Sequence, residues 1–134
     1  MPAYSNTPLV KKLGLKEGHR FYVKNSPRDY ADLLGTLPDG SLRKSRLCPR
    51  LNFVHLFTDS RKELTDFLPQ AMKFLERDGV IWVSWPKKAS KRVTDITEDT
   101  IRNFALTMGL VDVKVCAVDD IWSGLKLVIR KELR

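Results

Sequence analysis

The sequence predicts a three-layer α/β sandwich built on a mainly parallel sheet. Apolar strands alternate with helical segments along the chain, as expected when each crossover returns to the same sheet. Two of the strands, Phe53–Phe57 and Val80–Val83, are near-continuous apolar runs, which suits strands covered on both faces. The last strand is separated from its predecessor only by the short link DDIWSG, so it must turn back as an antiparallel hairpin.

The elements follow in order. NTPLVKKLG reads as a short helix, with Thr7 as cap, Pro8 at the first helical position and Gly14 as stop. His19 to Lys24 is a strand rich in aromatic and branched residues. SPRDYADLLG repeats the capping logic with Ser26, Pro27 and Gly35, and Tyr30, Leu33 and Leu34 line its inner face. A turn at Pro38 to Gly40 leads to a weak strand, Ser41 to Leu47, whose charges suit a sheet edge.

LNFVHLFT is a strand of the buried type. DSRKELTDFLPQAMKFLERDG is helical, because Leu64, Phe67, Leu68, Met72 and Leu75 recur at helical spacing. Pro69 must kink that helix or start a second segment, and Gly79 closes it. After the strand VIWVSW and a basic loop, Thr97 opens a capping box with Thr100. Glu98 and Asp99 favour the positive helix end. Ile101, Phe104, Ala105 and Met108 face inward, and Gly109 stops the helix. LVDVKVCAV and GLKLVIRKEL form the closing hairpin.

Composition bounds the rest. A chain of 134 residues with 43% hydrophobic content is the size of one domain, here residues 1–134, and needs no disulfide or metal staple. Cys48 and Cys116 match neither a disulfide framework nor a zinc spacing, and are expected as buried thiols in a reducing compartment. No targeting pattern and no apolar run of the roughly 20 residues needed to cross a bilayer is readable, so a soluble cytoplasmic protein without a membrane role is expected.

The net charge of +8 is uneven. Lys11, Lys12, Lys16, Arg20 and Lys24 are offset only by Glu17. Arg43, Lys44, Arg46 and Arg50 form a second group, and Lys87, Lys88, Lys91 and Arg92 a third. Such patches meet phosphates or an acidic partner, or serve only as a solubilising surface.

The plan resembles a shortened class I methyltransferase fold, a Rossmann-like sandwich, best from Leu51 to Arg134, where strand, helix ending FLERDG, strand VIWVSWP, helix and hairpin follow one another. That resemblance implies a glycine-rich loop after the first strand and an acid at the end of the second. The chain instead reads Lys24-Asn25-Ser26-Pro27-Arg28 and SLRKSRLC. No cofactor is therefore expected, and S-adenosylmethionine should not bind at micromolar affinity. A closer resemblance covers nearly the whole chain. TPLVKKLGLKEG, WVSWPKKAS, TDITEDTIR and GLVDVKVCAVDDIWSGLKLV are similar to a small bacterial family, a domain of unknown function, which implies no chemistry.

In open parallel sheets ligands bind beyond the carboxyl ends of the strands. Those ends supply Asn25, Ser26 and Arg28; Thr58, Asp59 and Ser60; and Ser84, Trp85, Lys87 and Lys88. The hairpin tip with Trp122 and Ser123 belongs on the same edge. Lys87 and Lys88, helped by Ser90, are expected to hold an anion, either a phosphate-bearing small molecule or a nucleic-acid backbone. Trp85 and Trp122 either wall that ligand or pack in the core. His55 and His19 are expected as satisfied histidines, and Asp119-Asp120 as solvated turn formers. No nucleophile-plus-base constellation and no metal spacing is readable. The favoured reading is a non-catalytic binding module with an anion-binding rim. A divergent transferase and a weak nucleic-acid-binding protein are the alternatives.

Overall fold

The computed structural model describes residues 8–134. Four helices, α1 (Leu9–Leu13), α2 (Tyr30–Leu34), α3 (Arg61–Phe74) and α4 (Glu98–Thr107), accompany six strands. These are β1 (Arg20–Lys24), β2 (Leu42–Lys44), β3 (Leu51–Phe57), β4 (Leu75–Pro86), β5 (Leu110–Ala117) and β6 (Trp122–Ile129). They form one sheet in the order β2-β1-β3-β4-β6-β5. Strands β2, β1, β3 and β4 pair in parallel, and β6 runs antiparallel to both of its neighbours. The predicted alternation and the reversed last strand are both present.

Side-chain alternation splits the core in two. On one face Phe21, Val23, Phe53, Phe57, Trp82 and Trp122 pack beneath α1 and α2. On the other Val54, Leu56, Ile81, Val83, Trp85, Leu125 and Leu127 pack beneath α3 and α4. The sheet is thus covered on both sides, which is why β3 and β4 read as unbroken apolar runs. The buried Trp82 indole N–H donates to the Leu13 carbonyl at 2.7 Å and ties α1 to the sheet. No helix among the described residues is long and apolar enough to cross a membrane.

Several predicted boundaries move. Pro8 occupies the cap position of α1 rather than its first turn, while Thr7 lies outside the described residues. Helix α2 is capped at Asp29, not Ser26: the Pro27 carbonyl closes a turn with the Tyr30 N–H, and the Ser26 hydroxyl accepts from Arg43. Strand β2 shrinks to Leu42–Lys44, although it does lie at the sheet edge. Helix α3 runs through Pro69 without a second segment.

The largest shift concerns Gly79. It closes no helix, because Leu75 already takes extended backbone and pairs with Leu51. Between the pairs Leu51↔Leu75 and Phe53↔Val80, β3 advances two residues and β4 five. Gly79 sits in that bulge, where a Cβ would stand 2.7 Å from the Leu75 side chain. Sheet pairing overrides the helical periodicity that includes Leu75.

Candidate functional site

The carboxyl ends of β1, β3 and β4 and the start of β6 form one rim. The chain moves outward from β1 to β2, then returns to β3 on the other side of β1, so the sheet's switch point lies between β1 and β3. Open α/β sheets place ligands at that crevice. Here hydrogen bonds bridge it. Asn25 turns the chain with φ of 60°, a conformation Asn tolerates better than most residues. Its amide donates to the Phe57 carbonyl and to Glu63 Oε1, both at 3.0 Å. The buried Thr58 hydroxyl donates to the same Glu63 oxygen at 2.6 Å. Ser60 caps α3 by accepting from the Glu63 N–H at 3.2 Å.

Glu63 is the residue that sequence reading missed. Ser60-Arg61-Lys62-Glu63 has the spacing of a capping box, which marks both the helix start and an acid beside it. Only half of that box forms, because the Glu63 carboxylate turns to Asn25 and Thr58 instead of Ser60.

Behind the rim lies a buried polar chain. Tyr30 Oη is 2.9 Å from His55 Nδ1, and His55 Nε2 is 2.7 Å from Ser84 Oγ. Burial holds the His55 imidazole neutral, pushing its pKa down to about 3, and raises that of the Tyr30 phenol well above its ordinary value. A neutral imidazole donates at one nitrogen and accepts at the other, so both partners are satisfied in either tautomer. Phe57 stacks on His55 with centroids 4.2 Å apart and meets the Trp122 ring edge-on at 5.2 Å. His55 is thus a satisfied core histidine. Ser84, placed on the rim by sequence, is fully buried and bonded inward.

The open part of the rim is a cleft of about 510 Å³ beside the basic loop. Trp85 and Pro86 at the end of β4 form its floor with Ile96, and Lys88, Lys91 and Arg92 supply three cations. Its one carboxylate, Glu98, is already engaged by Arg102. The loop shape is set locally. The Ser90 hydroxyl donates to the Lys87 carbonyl at 2.7 Å, and Lys91 turns the chain with φ of 60°. Thr94 Oγ1 donates to the Asp59 carbonyl at 2.8 Å, and Asp95 accepts from the Arg61 N–H at 2.7 Å, anchoring the loop to the start of α3. The Arg92 guanidinium lies over the Trp122 ring, 5.5 Å from its centroid.

The structure therefore divides the sequence-predicted residues. Asn25, Thr58 and Ser60 meet through Glu63. Trp85 and Lys88 meet in the cleft, and Ser123 is the cross-strand partner of Trp85. Trp122 is buried, with Arg92 over its ring. Lys87 does not line the cleft: it is half-buried, with its N–H on the Ile121 carbonyl. Ser90 shapes the loop rather than presenting a free hydroxyl. Ser26 bonds Arg43, Arg28 is exposed, and Asp59 contributes its carbonyl. Lys91 and Arg92 join the site instead.

A larger groove of about 660 Å³ lies between β1 and α3, lined by Tyr22, Lys24, Arg46, Leu47 and Phe67 among others. Its carboxylates Glu63 and Asp66 offset its cations, so an anion is better served in the Trp85 cleft. No group of three or more His, Cys, Asp and Glu able to hold a metal occurs among the described residues.

The whole arrangement is similar to known folds. A magnesium protoporphyrin IX methyltransferase from Synechocystis PCC 6803, solved with bound SAM, superposes with a TM-score of 0.62 at 12% identity, over 90% of this chain and 74% of that one. A SAM dependent methyltransferase from Aquifex aeolicus gives 0.62 at 14% identity, over 90% and 88%. A precorrin-6y C5,15-methyltransferase from Geobacter metallireducens GS-15 gives 0.60 at 9% identity, over 96% and 94%. At such identities the likeness establishes a Rossmann-like, methyltransferase-like fold and no chemistry. Comparison with curated protein sequences finds no match. Residues 52–131, more than half of the chain, match the family described as Protein of unknown function (DUF3052), and the chain belongs to that family.

Proposed function

We propose that this protein is a non-catalytic binding module whose anion-binding rim is the Trp85 cleft. The observation that carries the reading is the set of three cations, Lys88, Lys91 and Arg92, around an aromatic floor whose lone carboxylate is already paired. Ammonium and guanidinium groups gain most from an anion where an apolar wall thins the surrounding water. The ligand class is a phosphate-bearing molecule, small or polymeric. A buried serine–histidine pair supports the non-catalytic part, because Ser84 and His55 have no solvent exposure through which a substrate reaches them.

Tryptophan fluorescence tests this directly. Pyrophosphate, mononucleotides and short single-stranded oligonucleotides are titrated at low and moderate salt, into wild type and a Lys88→Ala/Arg92→Ala variant. The expected result is a salt-sensitive response, weakened by about tenfold or more in the variant, equivalent to ~1.4 kcal/mol. Preference for oligonucleotide over mononucleotide identifies nucleic acid as the source of the phosphate. A folded wild-type protein that responds to none of the three overturns the reading.

A second reading, a divergent transferase, draws support from the likeness to methyltransferases. It requires a methyl donor to enter the crevice that Asn25, Thr58 and Glu63 bridge with hydrogen bonds.

A further inference from the structure

The register of the C-terminal hairpin puts two lysines face to face. Lys114 of β5 is the direct cross-strand partner of Lys126 of β6. Like charges in that relation repel, and the pair lowers stability unless something compensates. Both side chains lie on the α1 face of the sheet. Lys126 is also the cross-strand partner of Trp82, whose indole bonds α1. The Lys126 ammonium reaches the end of α1, where a Cβ on Gly14 would stand 3.7 Å from its Nζ.

A third cation, Lys16, is exposed two residues beyond Gly14, with its backbone N–H on His19 Nδ1. Burial, Lys114 and Lys16 together hold the Lys126 ammonium below the usual lysine range. Two lysines from facing strands thus meet at the end of α1, and the charge of Lys16 adds to theirs.

Local compensation is missing among the described residues. Lys16, Lys114 and Lys126 make no ion pair there. Lys114 Nζ donates to the Lys12 backbone carbonyl at 3.3 Å, not to a carboxylate. Asp112, two residues before Lys114, is committed to Arg102. Glu17, beside Lys16, is exposed and pairs with none of them. The end of α1 does not account for Lys126 either. The Lys11 and Val10 carbonyls already accept from the Gly14 and Leu15 N–H groups.

We propose that Lys114 and Lys126 form a second anion site at the end of α1, separate from the Trp85 cleft, that takes a multiply charged phosphate group. Two ammonium groups held face to face suit a phosphate better than a monovalent anion, because each can donate to a different oxygen. The site rests on the hairpin register and not on the proposed role of the basic loop.

Thermal unfolding with pyrophosphate as the probe tests it, against sodium chloride at matched ionic strength. The background is the Lys88→Ala/Arg92→Ala variant, which takes away two of the three cations of the cleft. Pyrophosphate at about tenfold above its dissociation constant should raise Tm by about 4 °C, and sodium chloride should not. Lys126→Met should abolish that rise and, without pyrophosphate, be at least as stable as its parent because the repulsion is gone. Lys114→Gln, on the exposed edge strand, should do the same and serves if the Met variant does not fold.

A local reporter completes the test. Cys116 shares the Lys114 face of β5 and feels the charge of Lys12 and Lys114. Its alkylation should slow on adding pyrophosphate. No Tm rise beyond that of sodium chloride, or a rise that survives both substitutions, overturns the proposal. Preference for an oligonucleotide over pyrophosphate in the same assay assigns the phosphate to a nucleic acid; the reverse assigns it to a small molecule.

Discussion

Nε2 of His55 stands 2.7 Å from Oγ of Ser84, and neither residue is exposed to solvent. This contact joins β3 to β4 at the height where the sheet opens to its rim, and Tyr30 extends it to α2. The chain explains how a histidine survives inside an apolar strand: both ring nitrogens are partnered, and the ring remains neutral.

Neutrality in the fold makes stability depend on pH. The histidine titrates near 6.5 when unfolded and at about 3 when folded. The unfolded chain therefore binds the proton first. The contribution is fully present above pH 6.5 and is lost as pH falls from there toward 3. Urea unfolding should show a loss of about 2 kcal/mol between pH 7 and pH 5 from this group. His19 shifts in the same direction, through burial first and Lys16 second, so the wild-type slope contains both. A His55→Gln variant isolates the larger part. If its slope equals that of wild type, His55 is not the titrating group.

Breaking the chain at either end should cost stability. Tyr30→Phe leaves His55 Nδ1 buried without its partner, and Ser84→Ala does the same to Nε2. Each should lower the unfolding free energy by about 1–3 kcal/mol. A change under the error of chemical denaturation in both variants would show that water replaces the lost hydroxyls.

Gly124 lies on β6 beneath the indole of Trp82. A Cβ there would stand 3.1 Å from Trp82 Cε3 and 3.3 Å from a Val118 methyl. Both neighbours are buried, so neither swings away freely. Gly124→Val should destabilise by about 1–3 kcal/mol through overpacking. The crowding displaces Trp82 and its bond to Leu13, which amide exchange at the end of α1 would report as faster opening.

Isothermal titration with S-adenosylmethionine should show no binding at micromolar affinity. The turn after β1 is made by Asn25 with a full side chain, and β2 ends in Lys44 with no carboxylate following before Arg46. Micromolar heat would overturn this expectation and favour the transferase reading over the binding module.

Part of the candidate site was legible because its residues are consecutive. Trp85 and Pro86 end an apolar strand and Lys88 follows it, and strand ends in parallel sheets point to one edge. Lys91 and Arg92 were visible as charges but not as cleft residues, since the left-handed turn at Lys91 and the Ser90 bond decide where they point. Ser84 was misplaced for a different reason. Alternation along β4 gives its side chain to the α1 and α2 face, but only the approach of His55 turns that position into core.

The order of the elements, the two-sided burial of β3 and β4 and the reversal of β6 were all legible in the amino-acid sequence. Each follows from local signals: apolar periodicity, capping residues and the length of one link. The remaining features depend on long-range packing. It ended α3 at Phe74, because strand pairing of Leu75 with Leu51 outweighs helical spacing. It turned Glu63 across the switch point, where Asn25 and Thr58 arrive from β1 and the end of β3. It set Lys114 opposite Lys126, since hairpin register depends on bulges and turn geometry that charge patterns do not encode. Local sequence specifies which way a residue leaves the backbone, but its neighbours come from distant segments, and those contacts exist only once the sheet has closed.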